Sequence, residues 1–350
     1  MALVSVIKAA PEDFVVEEIA AYEPSGEGDH VFVRFTKRDM TTDAAARAIA
    51  RGLSADPRSV GIAGNKDKRA LTTQVISLAP PRGVAAQDLA DQATGLALPG
   101  IEVLWAKRHG HKLKTGHLRG NRFAIRVRQL RPDEARAVAL RATEIAVTGV
   151  PNAFGEQRFG VAGDNASRAR DILLGKESPP RDGRLLRLLY SALQSSVFDA
   201  VLDERVKRGT WATPLRGDVL KKTDTGGLFV CTDEQQDQPR AVRGDVSPTG
   251  PMFGPKMMRA EGEVGALELE IARMHLGDAF DKANAGVLGD GTRRSLRLFV
   301  SDCRVSLDDP NYNSVASTKI NVEEEVSCLV EFMLPKGAFA TTVLSHMLVK

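Results

Sequence analysis

Cysteine, aromatic side chains and surplus charge are all scarce in this 350-residue chain. Its three cysteines, Cys231, Cys303 and Cys328, lie far apart and form no C-x-x-C pair, which excludes a disulfide framework and the usual zinc-ligand spacing. Aromatics make up 5% of the residues, so each phenylalanine in a polar setting is informative. The formal net charge is +3, so affinity for nucleic acid has to come from a local basic patch. No run of about 18 apolar residues occurs, and Lys8 interrupts the apolar N-terminal stretch, so neither a membrane span nor a secretory signal is expected. A reduced, cytoplasmic protein is the expectation.

Several phosphate and nucleophile motifs are also missing. There is no G-x-x-x-x-G-K-[ST] loop, no G-x-G-x-x-G after a strand and no G-x-S-x-G elbow. Gly64-Asn65-Lys66-Asp67 follows a strand as the guanine-reading Asn-Lys-x-Asp element of GTPases does, but Lys68 stands at the fourth position, where that element has its aspartate. No nucleotide cofactor is implied.

What is present is a globular composition, 43% hydrophobic and 27% charged, and enough length for two domains. An apolar run ending at Gly64 and a β-branched run from Thr72 to Leu78 predict two strands with Lys66-Asp67-Lys68-Arg69 on the turn between them. One carboxylate among three cations favours its ionised form, as a nucleophile or base requires. An ordinary solvated turn would have the same composition.

Alternation predicts a strand over His30–Lys37, with Val31, Val33 and Phe35 on one face, and another over Asn121–Gln129, with Phe123, Ile125 and Val127 on one face. Residues 3–19 read as extended, interrupted near Pro11. Helices are predicted near 42–51, 84–95, 132–148, 164–174, 183–207 and 263–275. Leu215 to Val246 reads as short strands and turns. Strand patterning returns over Leu298–Leu307 and Glu324–Met333, followed by a closing helix. Strands early and late around a helical middle suggest one domain split by another.

Between two of the strands runs Lys107-Arg108-His109-Gly110-His111-Lys112-Leu113-Lys114-Thr115-Gly116-His117-Leu118-Arg119-Gly120, with five Lys or Arg, three of the six histidines and no acid. Such clustered cations suit phosphate contact through counterion release, although a solvated loop could carry the same charges. The histidines have glycines and lysines around them and no cysteine or carboxylate, so no metal site is expected.

Five separated elements, in order along the chain, carry a family resemblance. They are Lys8-x-x-Pro11-Glu12-Asp13-Phe14-x-Val16-x-Glu18, Gly64-x-Lys66-Asp67-Lys68-x-Ala70-x-Thr72-x-Gln74, Gly120-Asn121-x-Phe123, Val150-Pro151-Asn152-x-Phe154-Gly155-x-Gln157-Arg158-Phe159-Gly160, and Leu334-Pro335-x-Gly337-x-Phe339-Ala340-Thr341. Together they resemble the motifs of the TruD family of tRNA pseudouridine synthases, over a span from Ile7 to the C-terminal helix. One departure is Ala153, where many members have tyrosine, and it bears on local packing or an RNA contact at the domain junction.

The resemblance implies an α/β (α+β) fold, with a pseudouridine-synthase-like catalytic domain built on a mixed, mainly antiparallel sheet. Residues 1–151 and 301–350 would form that domain. Residues 152–300 would be an inserted α/β domain forming the other wall of an RNA cleft. The implied substrate is a tRNA uridine, at position 13 in the D arm, acted on by a monomer without cofactor. Asp67 is the implied catalytic residue and Lys8 its cation. Phe14, Asn121, Phe123 and Phe339 would contact the flipped nucleotide. Lys66, Lys68, Arg108, Lys112, Lys114, Arg119 and Arg158 would meet RNA backbone. A pseudouridine synthase with another RNA target, a non-catalytic RNA-binding protein and a lyase using Lys66 for Schiff-base chemistry are the alternatives.

Overall fold

The computed structural model describes residues 7–307 and 325–348. The start of the expected first strand, residues 3–6, and Glu324 lie outside them. The described residues group into two compact units: one comprises those up to Ala146 with Val300–Ala340 and those from Met347 on, the other Val147–Phe299 with Thr341–His346.

The first unit is organised on a nine-stranded sheet. Its strands are β1 (Phe14–Ala20), β2 (His30–Arg38), β3 (Gly61–Ile62), β4 (Leu71–Leu78), β5 (Ala97–Leu98), β6 (Ile101–His109) and β7 (Leu118–Leu130), with β14 (Ser301–Leu307) and β15 (Val326–Pro335) from the end of the chain. The order is β14-β15-β7-β1-β4-β2-β6-β5, with β3 beside β4. Only β1 and β4 pair in parallel; the other pairings are antiparallel.

Helices α1 (Thr42–Gly52) and α2 (Ala86–Thr94) cover one face of this sheet. Thr41 starts α1 by accepting a hydrogen bond from the Ala44 amide, at 3.1 Å, as a good N-cap does. Val31, Val33 and Phe35 of β2 and Ile76 and Leu78 of β4 are buried in one cluster with Ala45 and Ile49 of α1 and Leu89 and Ala93 of α2. The alternation read from His30 to Lys37 is therefore a core parity. Helix α3 spans Pro132–Thr148, as its proline start and spacing predict, with Ala135, Val138, Ala142 and Ile145 buried.

Gly120 shows why β7 carries a glycine near its start. A Cβ there would stand 2.1 Å from the Leu334 carbonyl oxygen of β15, so any side chain would push the two strands apart.

The second unit holds α4 (Asn165–Leu174), α5 (Gly183–Lys207), α6 (Glu234–Arg243) and α7 (Gly262–Leu276). Its four-stranded sheet runs β10 (Leu228–Val230), β9 (Val219–Lys222), β11 (Val246–Met252) and β12 (Thr292–Ser295), and a small pair joins β8 (Val150–Pro151) to β13 (Arg297–Leu298). Helix α6 falls where only strands and turns were expected. Its polar sequence and internal Pro239 hide it, but the Asp233 side chain accepts from the amides of Gln235 and Gln236 and starts it.

Among the described residues α5 is the one helix long and apolar enough, by length and composition, to cross a membrane. Half of that apolar window is buried, and its Leu189, Leu193 and Val197 lie in the core of this unit. Two fully buried ion pairs complete the unit: Arg205 to Asp218 at 2.8 Å and Arg293 to Glu268 at 2.6 Å. A short helix, α8 (Ala340–Met347), closes the described chain.

Candidate active site

Asp67 stands on the loop between β3 and β4. Lys8, 59 residues earlier, donates from Nζ to Asp67 Oδ1 at 2.9 Å. The same ammonium lies 3.9 Å from the centroid of the Phe14 ring, a cation–π contact. The Lys8 side chain is 13% exposed, while that of Asp67 remains 39% exposed, so the carboxylate is held from one side and open on another.

Strand register places the neighbouring motif residues on the same face of the sheet. Lys37 pairs with Thr72, Thr72 with Val16, Val16 with Phe123 and Phe123 with Phe332, forming one row from β2 across to β15. In the next row Phe35 pairs with Gln74, and Glu18 with Asn121 and Asn121 with Leu334. Phe14 lies two residues before Val16 on that face.

Behind the Asp67 loop, this face carries buried polar side chains rather than an unbroken apolar core. Thr42 donates to Gln74 Oε1 at 3.0 Å and accepts from the Lys66 amide at 2.9 Å. Lys66 itself points inward, 5% exposed, with its ammonium 2.6 Å from the buried Glu18 carboxylate. Glu18 also accepts from the Val75 amide at 3.2 Å. Lys37, fully buried, donates to the Asp67 carbonyl oxygen at 2.8 Å and the Met40 carbonyl oxygen at 2.5 Å. Burial pushes the Lys37 ammonium down to about 8, against the opposing influence of Asp67.

Two of the side chains expected at RNA backbone point inward in the structure. Lys66 is committed to Glu18, because a buried carboxylate needs a cation more than a surface phosphate does. The same pairing leaves its amine unsuited to Schiff-base chemistry. Arg158, in the second unit, turns inward to the hydroxyls of Ser195 and Ser191. It also lies 5.2 Å from the Phe154 ring. Arg108 is half-buried and donates to the Gly28 carbonyl oxygen at 3.0 Å, so its guanidinium is partly engaged in holding a turn. Lys68, Lys114 and Arg119 are exposed, and Lys112 is half-exposed.

The aromatic candidates divide similarly. Phe14 and Phe123 are 1% and 5% exposed and meet edge to face, and Phe123 stacks on Phe332 with centroids 5.3 Å apart. They form the floor of the site. Phe339 is the exposed one, at 36%. Asn121 is half-buried, and its Oδ1 has no hydrogen-bond partner among the described residues. Buried Thr72 Oγ1 and Gln74 Nε2, on the same face, are also without partners among the described residues.

Lys37, Thr42 and Glu18 have roles that sequence reading passed over, yet parity carried a signal. Lys37 follows Val31, Val33 and Phe35 in steps of two, and Glu18 follows Phe14 and Val16. A charge on the apolar parity of a strand is a buried charge.

The basic loop gathers its histidines around Tyr22. The Tyr22 hydroxyl is 2.7 Å from His117 Nδ1, its ring stacks on His109 at 5.3 Å, and His109 and His111 meet through Nε2 atoms 3.2 Å apart. Burial, followed by the neighbouring His111 and His30, holds His109 below the usual imidazole range. Among the described residues no group of three or more His, Cys, Asp or Glu side chains is placed to hold a metal ion. Burial pushes all three thiols up, to about 12 for Cys231 and about 11 for Cys303 and Cys328, so none is a ready nucleophile.

At the start of the second unit, Asn152 donates to the Ser295 carbonyl oxygen and accepts from Arg294 at 2.7 Å. Arg294 lies over the Phe154 ring at 4.0 Å, and burial pushes it down to about 10. Ala153, half-buried, packs against the Phe198 and Leu202 cluster of α5.

A sheet with a lysine-clamped aspartate, buried aromatics and a basic loop is compatible with an enzyme that acts on RNA. The comparisons narrow this. The family profile for tRNA pseudouridine synthase D (TruD) matches residues 3–176 and 181–347. A tRNA pseudouridine synthase D from Anaeromyxobacter sp. (strain Fw109-5) is 44% identical over 98% of this chain and 92% of its own. One from Geobacter sulfurreducens is 35% identical over 97% of this chain and 93% of its own. A crystal structure from Methanosarcina mazei assigned to TruD superposes with a TM-score of 0.74 at 24% identity, covering 99% of this chain and 94% of that one, and shares the fold. The chain belongs to the TruD family of tRNA pseudouridine synthases.

Proposed function

We propose that this chain converts uridine to pseudouridine in tRNA, at position 13 of the D arm, with Asp67 starting the reaction. The observation that carries this reading is the carboxylate itself: open on one side, clamped by Lys8 at 2.9 Å, on a loop anchored from below by buried polar groups. The reaction breaks the bond between N1 and C1′, turns the uracil, joins C5 to C1′, releases the C5 proton and takes one up at N1. Electrons are conserved, and no redox partner is required.

Asp67 can act by attacking the ribose or base, or by taking a ribose proton to give a glycal. A uridine drawn out of its stack needs a plane and a polar reader. Phe339 offers exposed aromatic surface, Phe14 and Phe123 form the floor, and half-buried Asn121, whose buried Oδ1 has no partner among the described residues, is the polar group beside them. Lys68, Lys112, Lys114 and Arg119 supply backbone contacts. In this reading the protein works in the cytoplasm as a monomer without a nucleotide cofactor.

Bulk tRNA from a strain lacking the activity, treated with wild type or Asp67→Ala and read by chemical mapping of pseudouridine, tests it. Wild type should modify one D-arm uridine and the variant none. Modification by Asp67→Ala, or binding without modification by wild type, would overturn the assignment.

A further inference from the structure

We propose that Lys37 is a positioning residue for Asp67: its ammonium ties the catalytic loop to the turn between β2 and α1 and fixes where the carboxylate stands. The proposal rests on the reading in which Asp67 starts the reaction.

An amine is costly in the core, and a methionine or leucine would fill the same space without desolvating a charge. Lys37 is nevertheless fully buried, on the row of the sheet that leads through Thr72 and Val16 to Phe123. Its hydrogen-bond partners are not carboxylate oxygens but two main-chain carbonyls on two different loops, Met40 at 2.5 Å and Asp67 at 2.8 Å. The charged groups around it are Asp67 and Asp39, which favour the ammonium, and Lys66, which opposes it.

The surrounding contacts show what is left for Lys37 to hold. The Lys66 amide is tied to Thr42, the Lys66 side chain to Glu18, and the Asp39 amide to the Ala70 carbonyl oxygen at 3.2 Å. These fix the loop before and after Asp67. Lys37 is the side chain that holds the Asp67 peptide itself, while Lys8 holds its carboxylate. A carboxylate displaced by 1 Å from its reacting geometry can lose about 100-fold in rate. Two charge-assisted bonds from a group with no rotational slack prevent that displacement.

The experiment is single-turnover pseudouridine formation on a tRNA transcript with enzyme in excess. Wild type, Lys37→Met, Lys37→Arg and Asp67→Ala are compared, with melting curves and tRNA Kd measured for each. Lys37→Met should melt cooperatively and bind tRNA within about threefold of wild type, yet react about 100-fold more slowly. The wild-type rate should fall as the pH rises through about 8, where Lys37 loses its proton, and Lys37→Arg, whose guanidinium keeps its charge, should retain partial activity without that fall.

A folded Lys37→Met protein reacting within about threefold of wild type would overturn the proposal. So would a wild-type rate that stays flat from about pH 7 to about pH 9.5. If neither lysine variant folds, the wild-type profile decides by that same criterion. Activity in Asp67→Ala would instead overturn the function on which the proposal rests, whereas an inert Asp67→Ala beside an unimpaired Lys37→Met removes only the role of Lys37.

Discussion

The Lys8 ammonium touches Asp67 and Phe14 at once, 2.9 Å from the carboxylate oxygen and 3.9 Å from the ring centroid. The ring limits where the ammonium can go, and the ammonium limits where the carboxylate can go. Lys8→Met should therefore slow the chemical step by about 100-fold with little change in tRNA Kd. Lys8→Arg should recover part of the loss. A rate equal to wild type for Lys8→Met in single-turnover assays would remove Lys8 from the site.

Lys66 and Glu18 form a buried pair at 2.6 Å, so breaking it from one side leaves an uncompensated charge. Lys66→Met should destabilise the first unit by about 3–5 kcal/mol. Converting Glu18 to glutamine in the same protein should return much of that. Urea unfolding of the single and double variants measures the difference, and additive losses would contradict the pairing.

The buried amine of Lys37 links stability to alkaline pH. Its ammonium is near 10.5 unfolded and about 8 folded, so between these values the unfolded chain binds more protons and stability rises with pH. The contribution of Lys37 is complete above the unfolded value and is lost as pH falls through the folded one. Relative to Lys37→Met, wild type should gain on the order of 3 kcal/mol over that window. Paired melting curves across it are the measurement, and parallel curves would refute the linkage.

Exposed cations on the basic loop should act through phosphate alone. Lys114→Ala and Arg119→Ala should each weaken tRNA binding and reduce the slope of log K against log salt by about 1. Arg158→Ala should instead lower stability, because its guanidinium is held by Ser191 and Ser195. Filter binding at several salt concentrations separates the two behaviours.

Much of this architecture was legible. Helix α3 follows from Pro132 and its apolar spacing, and the strand faces of β2 and β7 follow from alternation. The motifs also led to the Asp67–Lys8 pair, since a carboxylate that works in a drying cleft needs a cation. Direction was not legible. Lys66 reads like its neighbour Lys68, yet one faces Glu18 and the other water, because that choice depends on a carboxylate from another strand. Lys37 closes the predicted strand, and its parity with Phe35 places it in the core. Helix α6 was hidden because capping and tertiary packing outweigh its polar, proline-bearing sequence.

The close approach of Gly120 to Leu334 has a consequence for biosynthesis. β7 carries Asn121 and Phe123, and its partner on one edge among the described residues is β15, which the ribosome makes some two hundred residues later. Until then that edge of β7 lacks its partner strand, and an open strand edge is liable to pair with another copy. A chain ending at residue 300 should therefore aggregate, and adding residues 301–350 in trans should suppress aggregation by restoring the missing strand. Light scattering during refolding would show it, and a truncated chain that stays monomeric would show the edge to be protected without β15.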